Sequence, residues 1–304
     1  MRHLILLCFI LFYGVVSAQD YTYDLSGSTA GELPEITASD FSFFVVLNDA
    51  ADWSSAINVT FQNVRTSRSF ALVRDDHSPA GKMSELGFAS RELNQFVIDL
   101  PAGVNATLHI YDPGVTGEPL RPVTALNSVI CPYDAPPVIT RENWCPAGDC
   151  DPAAPAVPTE VTHLIVHHSA GTNEASDWAA IVRSIRNAHV NGNGWDDIGY
   201  NYLIDPNGLI YVGRGNDLRG AHFCGDNTGT MGTCLLGDFT NQIPADDAVL
   251  SLQQLLAWKA CDREIDPLGT SLHAAGNQDL SNIAGHRQGC NTACPGNSFF
   301  PQFE

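Results

Sequence analysis

Residues 163–170 read His163-Leu164-Ile165-Val166-His167-His168-Ser169-Ala170, and they set the character of the C-terminal half of the chain. The apolar run at 164–166 predicts a buried strand, which we place over 161–167. Side chains alternate between the two faces of a strand, so only one of His167 and His168 can point into a shared site. The stretch therefore predicts a core strand that delivers one imidazole to a site at its end.

The residues after this strand predict further helices and strands. Apolar positions recur at helical spacing in two segments, and the turn sequence Asp205-Pro206-Asn207-Gly208 separates two short β-rich runs. We therefore expect an α/β fold, a mixed β-sheet flanked by helices, over residues 138–304. The predicted elements are helices over 174–190 and 246–263 and strands over 199–205, 209–213 and 231–237.

The first third of the chain is rich in β-forming residues. Several short runs alternate apolar and polar residues, and Gly, Pro, Asn or Asp separates them. This pattern predicts a small all-β, sandwich-like accessory domain over residues 19–115, which serves either in wall targeting or as a structural spacer. The runs lie at 41–47, 57–61, 69–73, 95–100 and 106–111.

Prolines are concentrated between the two halves. Proline removes ladder donors and fixes φ, so we predict an extended Pro-rich linker over residues 116–137. The stretch Val138-Ile139-Thr140-Arg141-Glu142-Asn143-Trp144 is expected to pack onto the domain that follows.

Composition indicates a folded protein with an acidic surface. The 304 residues are 44% hydrophobic, and 34 Asp and Glu against 15 Lys and Arg give a net charge of −19. Such a surface repels nucleic acid and anionic lipid. We therefore expect no nucleic-acid partner.

Residues 1–18 predict a secretory signal peptide. Met1-Arg2-His3 is a short basic start, the run 4–13 is apolar, and Val16-Ser17-Ala18 offers small residues at a cleavage site. The run is too short to span a membrane, and no other stretch approaches the length of a span. We expect a secreted protein, extracellular or periplasmic, that begins at Gln19.

Nine cysteines become eight when Cys8 leaves with the signal peptide. An even count in an oxidising compartment favours disulfides. If one cysteine binds a metal, at least one of the other seven is free, and Cys234, in an apolar strand, is the candidate. The remaining six allow fifteen connectivities, and Cys145 and Cys150 are close enough to close a local loop.

Two further positions can join His167 in one site. His286 lies in Ala284-Gly285-His286-Arg287-Gln288, and Cys294 follows eight residues later in a loop bracketed by glycines and Pro295. Two imidazoles and a thiolate form a zinc site with a fourth position open to water, as catalytic zinc sites have. A buried histidine and a cysteine in a disulfide would explain the same spacing. The spacing alone therefore leaves open whether His286 and Cys294 bind a metal or serve the fold.

Taken in chain order, these segments resemble the type 2 N-acetylmuramoyl-L-alanine amidases, the family of peptidoglycan recognition proteins and phage-lysozyme-like zinc amidases. The resemblance covers about 138–300 and leaves the N-terminal residues unmatched. It is carried by Arg141 with Trp144, by 163–170, by Asp197-Ile198-Gly199-Tyr200-Asn201, by Gly220-Ala221-His222 with Asn227, and by Gly285-His286-Arg287 followed by Cys294-Pro295-Gly296.

The resemblance implies an activity and the residues that perform it. The activity is hydrolysis of the lactyl-amide bond between N-acetylmuramic acid and L-alanine in peptidoglycan, by water activated on one zinc ion. By position, the zinc ligands are His167, His286 and Cys294. Tyr200 is implied as a catalytic phenol at the rim of the site, and the neutral hydroxyl of Thr292 as a second catalytic group.

Four further residues are candidates for substrate binding. His222 and Asn227 match family positions along the substrate groove, with local polar contacts to the backbone as the alternative. Trp195 can line the groove or pack a turn. Arg287 can bind a substrate carboxylate or form a structural salt bridge.

The other histidines and Cys290 are expected to serve the fold. His168 is expected to support a ligand or to pack, and His163, His189 and His273 are expected on the surface or in helices. Cys290 rivals Cys294 by position, but its spacing from His286 departs from the family pattern, so we expect it in a disulfide.

Three functional hypotheses follow. The leading one is an active zinc amidase that acts as a monomer on peptidoglycan or muramyl-peptides, because the three ligands and Tyr200 occur together. The alternative is a non-catalytic peptidoglycan-binding protein, although loss of the cysteine ligand commonly marks such members and Cys294 is retained. A cysteine hydrolase using Cys294 and His286 is disfavoured, because Pro295 offers no N–H to an oxyanion.

Overall fold

The computed structural model describes residues 17–48, 53, 56–76, 78, 81–117, 119–124 and 131–303. Most of the predicted signal peptide and residues 125–130 of the predicted linker lie outside the described residues. Among the described residues, every helix is too short or too polar to cross a membrane.

Eight strands make up the N-terminal part, which we call the β region. They are β1 (Gln19–Ser26), β2 (Ser28–Glu32), β3 (Asp40–Leu47), β4 (Ile57–Gln62), β5 (Ser67–Leu72), β6 (Gly87–Ser90), β7 (Gln95–Asp99) and β8 (Asn105–Asp112). They form two antiparallel four-stranded sheets, of order β1-β8-β3-β6 and β2-β7-β4-β5.

One apolar cluster lies between these two sheets. Along β4, Ile57, Val59 and Phe61 are buried and alternate with more exposed residues, as period-two patterning requires. The Phe61 ring packs against Phe41 and Phe43 at centroid distances of 5.1 and 4.7 Å. All five predicted strands are present, and β1, β2 and β6 are additional, because their mostly exposed or short sequences carry little apolar signal.

The C-terminal part, which we call the α/β region, contains three helices and seven further strands in its described residues. They are α1 (Arg141–Trp144), β9 (His163–His168), α2 (Trp178–Asn187), β10 (Tyr202–Ile204), β11 (Ile210–Val212), β12 (Thr230–Leu235), α3 (Asp246–Asp262), β13 (Thr270–His273), β14 (Gln278–Ser281) and β15 (Ile283–Gly285). A π-helical turn, Ala188–Gly192, continues α2, and short 3₁₀ turns lie at His286–Gln288 and Phe300–Phe303.

The central sheet has the order β11-β10-β12-β9-β15. Strands β10, β12, β9 and β15 run parallel, and only β11 pairs in the antiparallel sense. Strand β9 is buried along its whole length, as expected for a parallel strand covered on both faces. The expectation of a mixed sheet with helices is therefore confirmed. After Gly296 the structure has the 3₁₀ turn Phe300–Phe303.

The connection between the two regions is packed rather than free. Val123 pairs with Val138 through two backbone hydrogen bonds of 2.7 and 2.8 Å, and Thr116 Oγ1 donates to Asp177 Oδ2 at 2.7 Å. These bonds tie Thr116 and Val123 of the predicted linker to the α/β region. The predicted packing of 138–144 is confirmed, since Ile139 and Trp144 are fully buried.

Three disulfides select one of the fifteen connectivities. They join Cys131 to Cys261, Cys145 to Cys150, and Cys224 to Cys290. Cys234 and Cys294 are the free cysteines among the described residues, and both are buried. The expectations for Cys145 with Cys150, for Cys234 and for Cys290 are confirmed, and Cys294 is available to bind a metal.

Candidate metal centre and cleft

Two parallel strands bring the two predicted histidine ligands together. Strand β9 ends with His167 and His168, and β15 ends at Gly285, directly before His286. The strands are neighbours in register, with Gly285 opposite Val166, so their carboxyl ends lie at one edge of the sheet. The rings of His167 and His286 consequently lie 4.4 Å apart, centroid to centroid.

The loop after β15 returns Cys294 to the same edge. Arg287 N donates to Cys294 O at 3.0 Å, and the backbone N of His168 donates to Cys294 Sγ at 3.3 Å. Thr292 Oγ1 accepts from Cys294 N at 3.1 Å and so braces the turn before the cysteine. The thiol therefore faces the end of β9 and lies beside His167.

The three donor groups fit a zinc ion. The ligand atoms of His167, His286 and Cys294 all lie within 4.8 Å of one another, and Cys294 Sγ is 3.7 Å from His167 Nδ1. Tetrahedral zinc, with bonds of about 2.3 Å to sulfur and about 2.0 Å to nitrogen, puts two such ligand atoms about 3.6 Å apart. All three side chains are buried, so a thiolate here calls for a nearby cation.

A chain of hydrogen bonds orients the His167 ring. Since Nδ1 faces Cys294, Nε2 carries the hydrogen and donates to His222 Nδ1, at 3.1 Å. His222 Nε2 then donates to Thr230 Oγ1 at 3.3 Å, and Thr230 Oγ1 donates to Asn227 O at 2.8 Å. The hydrogen bonds from His167, His222 and Thr230 therefore all run the same way, ending at Asn227 O. In this arrangement the lone pair of His167 lies on Nδ1, where it can bind a metal.

Tyr200 lies in the wall of the site rather than at its rim. It is 4% exposed, and its ring is 5.2 Å from the His167 ring. Burial raises the pKa of its phenol well above the ordinary value, and the charges of Cys234, Cys294 and Asp75 add to the rise. The phenol therefore stays protonated, and in this structure its side-chain hydrogen-bond partner is Cys234.

An ion pair holds the loop before Tyr200. Arg141 Nη1 and Nη2 donate to the two carboxylate oxygens of Asp197 at 2.9 and 2.7 Å, and Nη2 also donates to Gly213 O at 2.7 Å. Tyr200 O accepts from Arg214 N at 2.9 Å on the same side. The guanidinium of Arg141 thereby connects α1, the loop before Tyr200 and the residue after β11, and these segments together hold Tyr200 in position.

The predicted substrate-binding residues occupy different surroundings. Asn227 and the half-buried Trp195 line a cavity of about 500 Å³ that also borders His222 and His286. Asn227 Oδ1 accepts from the backbone N of His222 at 2.6 Å. Arg287 donates to Cys294 O and to Asn297 Oδ1 at 3.3 and 2.9 Å and covers the Phe300 ring. Contacts of these side chains with a substrate stay predictions.

The remaining histidines are more buried than the sequence suggested. His163 and His273 are 0% and 1% exposed, so the surface position predicted for them is wrong. His163 begins β9 and His273 ends β13, and the centroids of their rings lie 5.2 Å apart. His189 lies in a helical turn, as predicted, and its Nδ1 accepts from Gly199 N at 2.9 Å. His168 packs on Phe239.

A second cavity, of about 180 Å³, lies beside Cys294. Tyr200, Thr292 and Cys294 line it from the α/β region. Residues of the β region complete it, and they are Asp75, Asp76, Met83, Glu85 and Leu86. The sequence offered no signal for them, because they lie far from the site in the chain and carry no motif.

A protein-family comparison matches residues 157–297 of the chain to the family described as N-acetylmuramoyl-L-alanine amidase. The matched residues include His167, Tyr200, His286 and Cys294. The β region lies outside the match.

Solved structures resemble about half of the chain. The ectodomain complex of peptidoglycan recognition proteins LCa and LCx, bound to tracheal cytotoxin, is 25% identical, and the alignment covers 54% of this chain and 93% of that one, with a TM-score of 0.47. Wild-type PGRP-LB of Drosophila is 28% identical, with coverage of 54% and 91% and a TM-score of 0.45.

Curated relatives match by sequence as well. Peptidoglycan-recognition protein LB of Drosophila melanogaster is 31% identical over 46% of this chain and 56% of its own length, and the N-acetylmuramoyl-L-alanine amidase of Sus scrofa is 31% identical over 45% and 22%. The matched part thus spans about half of the first relative and less of the second. Peptidoglycan-recognition protein SC1a of Drosophila melanogaster is 33% identical over 45% and 68%. The chain belongs to the family of peptidoglycan-recognition proteins and N-acetylmuramoyl-L-alanine amidases.

Proposed function

We propose that this protein is a zinc-dependent amidase that hydrolyses the bond between N-acetylmuramic acid and L-alanine in peptidoglycan. One observation carries the proposal: His167, His286 and Cys294 bring two imidazoles and a free thiol within 4.8 Å of one another. A binding protein without catalysis has no need for this ligand set. A disulfide at Cys294 would have argued against a metal, and Cys290 takes that role with Cys224 instead.

The residues around the candidate metal ligands have different roles in the proposed reaction. Bound zinc would lower the pKa of a water molecule and polarise the carbonyl of the scissile amide. Tyr200, protonated and beside His167, donates a hydrogen bond to the oxygen on which charge develops. Thr292 Oγ1 holds the backbone of Cys294, so its contribution is chiefly to position the ligand. His222 holds the tautomer of His167.

Substrate and location follow from the same proposal. Structural relatives include recognition proteins bound to tracheal cytotoxin, and we propose peptidoglycan or its muramyl-peptide fragments as the ligand of this chain. The predicted signal peptide and three disulfides support secretion, because disulfides persist in oxidising compartments. We assign catalysis to residues 138–304 and an accessory role to 19–115.

The test is release of free peptide from purified peptidoglycan by the full-length protein. With zinc present, mass spectrometry of the products should detect intact glycan and peptides that begin with L-alanine. A chelator should abolish this release, and added zinc should restore it. Cleavage that persists in the chelator, or its absence in zinc-replete protein, would contradict the proposal.

A pair of cysteine variants separates catalysis from binding. Cys294→Ser should lose bound zinc, and kcat/KM should fall on the order of a thousandfold, because a metal supplies several kcal/mol to such reactions. Cys234→Ala removes the other free thiol and should retain zinc. If Cys294→Ser binds peptidoglycan as the wild type does and neither protein cleaves it, the chain is a recognition protein.

A further inference from the structure

A groove at the junction of the two regions, which we call the junction groove, adjoins the cavity beside Cys294. It has a volume of about 550 Å³, and residues of both regions border it. Leu86 of the β region and Ala170 of the α/β region line the groove and also the cavity that contains Tyr200. Ala170 follows His167 by three residues, so their Cα atoms lie at most about 11 Å apart. The groove therefore continues the cleft at the candidate metal centre.

Three strands of the β region supply one side of the junction groove. Asp40 begins β3, Arg68 and Phe70 lie in β5, and Phe88 lies in β6. Phe70 and Phe88 are half-buried, so each ring keeps an accessible part. The Arg68 guanidinium lies over the Phe70 ring, 4.8 Å from its centroid. This side of the groove thus combines two aromatic rings with a cation.

The loop after β9, residues 169–175, supplies the other side of the junction groove. Asn173 Oδ1 accepts from Asp238 N at 2.8 Å, and Asn173 Nδ2 donates to Asp238 O at 3.3 Å, so the loop is fastened to the segment after β12. A Cβ placed on Gly171 would lie 3.2 Å from Phe88 Cε2. The loop is therefore bonded to the α/β region and packed against the β region.

Three charged side chains border the junction groove, and they are Asp40, Arg68 and Glu174. Arg68 and Glu174 are exposed, and neither side chain forms an ion pair or a hydrogen bond with a described residue. Two carboxylates and one guanidinium leave the groove with a net negative charge. Such a groove repels the carboxylate that ends a peptide, and it suits a neutral ligand whose hydroxyls donate to carboxylates and accept from a guanidinium.

The cleft also continues on the other side of the candidate metal centre. Asp76 and Thr292 line both the cavity beside Cys294 and the cavity of about 500 Å³. Trp195 and Asn227 line that larger cavity and one further cavity. The cleft therefore runs from the junction groove, by way of the candidate metal ligands, to this last cavity.

The last cavity has the opposite charge. Its charged residues are Arg214, Arg219 and Asp196, two cations against one anion. In the proposed substrate the glycan lies on one side of the scissile amide and the peptide on the other, so the two parts leave the metal centre in different directions. The carboxylate of the peptide favours the basic end of the cleft, which leaves the acidic and aromatic end for the glycan.

We propose that the junction groove is a saccharide-binding subsite, in which the β region holds the N-acetylhexosamine chain of peptidoglycan beside the bond that is cleaved. Phe70 and Phe88 pack against the apolar faces of the sugar rings, and Arg68 and Glu174 bond to the sugar hydroxyls. Small-molecule sites occupy about 300–1,000 Å³ and combine aromatic side chains with a few polar groups, as this groove does. The inference rests on the proposed amidase function and gives the β region a role in substrate binding.

Binding of a neutral disaccharide to the full-length protein tests this proposal. The probe is N,N′-diacetylchitobiose, which has two N-acetylhexosamine rings, no peptide and no charge, and its affinity is measured by NMR titration. Glu174→Ala and Arg68→Met remove the charged partners of the hydroxyls at exposed positions, so both variants should fold as the wild type does. Glu160→Ala and Arg65→Met make the same changes at exposed positions outside the groove and are the matched controls.

The wild type should bind the disaccharide, and Glu174→Ala and Arg68→Met should each weaken binding by about tenfold, because each loses a hydrogen bond to a charged group. The two controls should bind as the wild type does. A sugar-free peptide that begins with L-alanine is titrated alongside, and all five proteins should bind it equally. The proposal is overturned if the wild type does not bind the disaccharide, if neither groove variant weakens its binding, or if the groove variants weaken peptide binding as much.

Use of chelator-treated protein keeps this test separate from the test of catalysis, and thermal unfolding checks that each variant is folded. Disaccharide binding that falls in the groove variants of a protein that releases no peptide with zinc supports the subsite and contradicts the amidase. Peptide release with zinc, together with disaccharide binding that the groove variants leave unchanged, supports the amidase and contradicts the subsite.

Discussion

The β region and the α/β region bury different kinds of side chain. Between its sheets the β region buries an apolar cluster in which the Phe41, Phe43 and Phe61 rings pack together. Among the described residues, the α/β region buries seven histidines, an arginine and a lysine. Apolar burial stabilises a fold without specific partners, whereas each buried polar group requires one.

The partners in the α/β region show how this requirement is met. Lys259, fully buried, lies 2.8 Å from Asp217 and 2.9 Å from Asp262. Arg183 Nε donates to Pro113 O at 2.7 Å, and Nη1 donates to Trp144 O at 2.5 Å. The α/β region thus holds these buried charges in a bonded network, whereas the core of the β region is apolar.

The largest effect on stability should come from the aromatic cluster. Phe61→Ala should lower the free energy of unfolding by about 3–5 kcal/mol, because it leaves a cavity between Phe41 and Phe43. Zinc affinity of the folded variant should equal that of the wild type. Denaturant titration and zinc titration measure both quantities, with Val64→Ala, at an exposed position, as control. Reduced zinc affinity would contradict the division between the two regions.

Arg183 tests how firmly the two regions are joined. Arg183→Met leaves the carbonyls of Pro113 and Trp144 without this donor, and we expect a loss of about 2–3 kcal/mol. Calorimetry should then resolve two transitions in place of one. Arg186→Met, which removes a single contact with Asp151 O, should keep one transition. A single, unshifted transition in Arg183→Met would contradict a structural role at this junction.

His222 tests whether the hydrogen-bond chain supports metal binding. His222→Leu cannot accept from His167 Nε2, so zinc affinity should fall about 10–100-fold, as it does when comparable supporting groups are removed. His222→Asn retains an acceptor and should recover most of the affinity. Competition with a chromophoric chelator measures both values. Equal affinity in His222→Leu and the wild type would show that the contact does not orient the ligand.

The smallest effect concerns pH and the buried His163. Burial lowers the pKa of this imidazole, so the folded protein binds fewer protons than the unfolded chain. The free energy of unfolding should therefore fall as pH drops below about 6.5, by at most about 1.4 kcal/mol per pH unit for one proton. His163→Gln should flatten that slope in chelator-treated protein. An unchanged slope would contradict the lowered pKa.

Prediction from sequence succeeded where the signal is local. The apolar run before His167, the turn at Asp205 and the helix over 246–263 all correspond to elements of the structure. Edge strands and buried histidines were missed for a physical reason. Strand β1 is mostly exposed and carries few apolar residues, and the burial of His163 depends on Ser271, which lies 108 residues away.

The sequence by itself indicated the candidate metal ligands, because His167, His286 and Cys294 stand in a motif order that resembles the family's, and the structure brings these three side chains together. It also determined the mixed α/β class, since hydrophobic periodicity is a property of neighbours along the chain. Tertiary structure alone decided that Cys224 is the disulfide partner of Cys290, since six cysteines allow fifteen pairings. It alone brought Asp75, Met83 and Leu86 of the β region to the cavity that Tyr200 also lines, because contact between distant segments depends on how whole sheets pack and leaves no periodic trace in the chain.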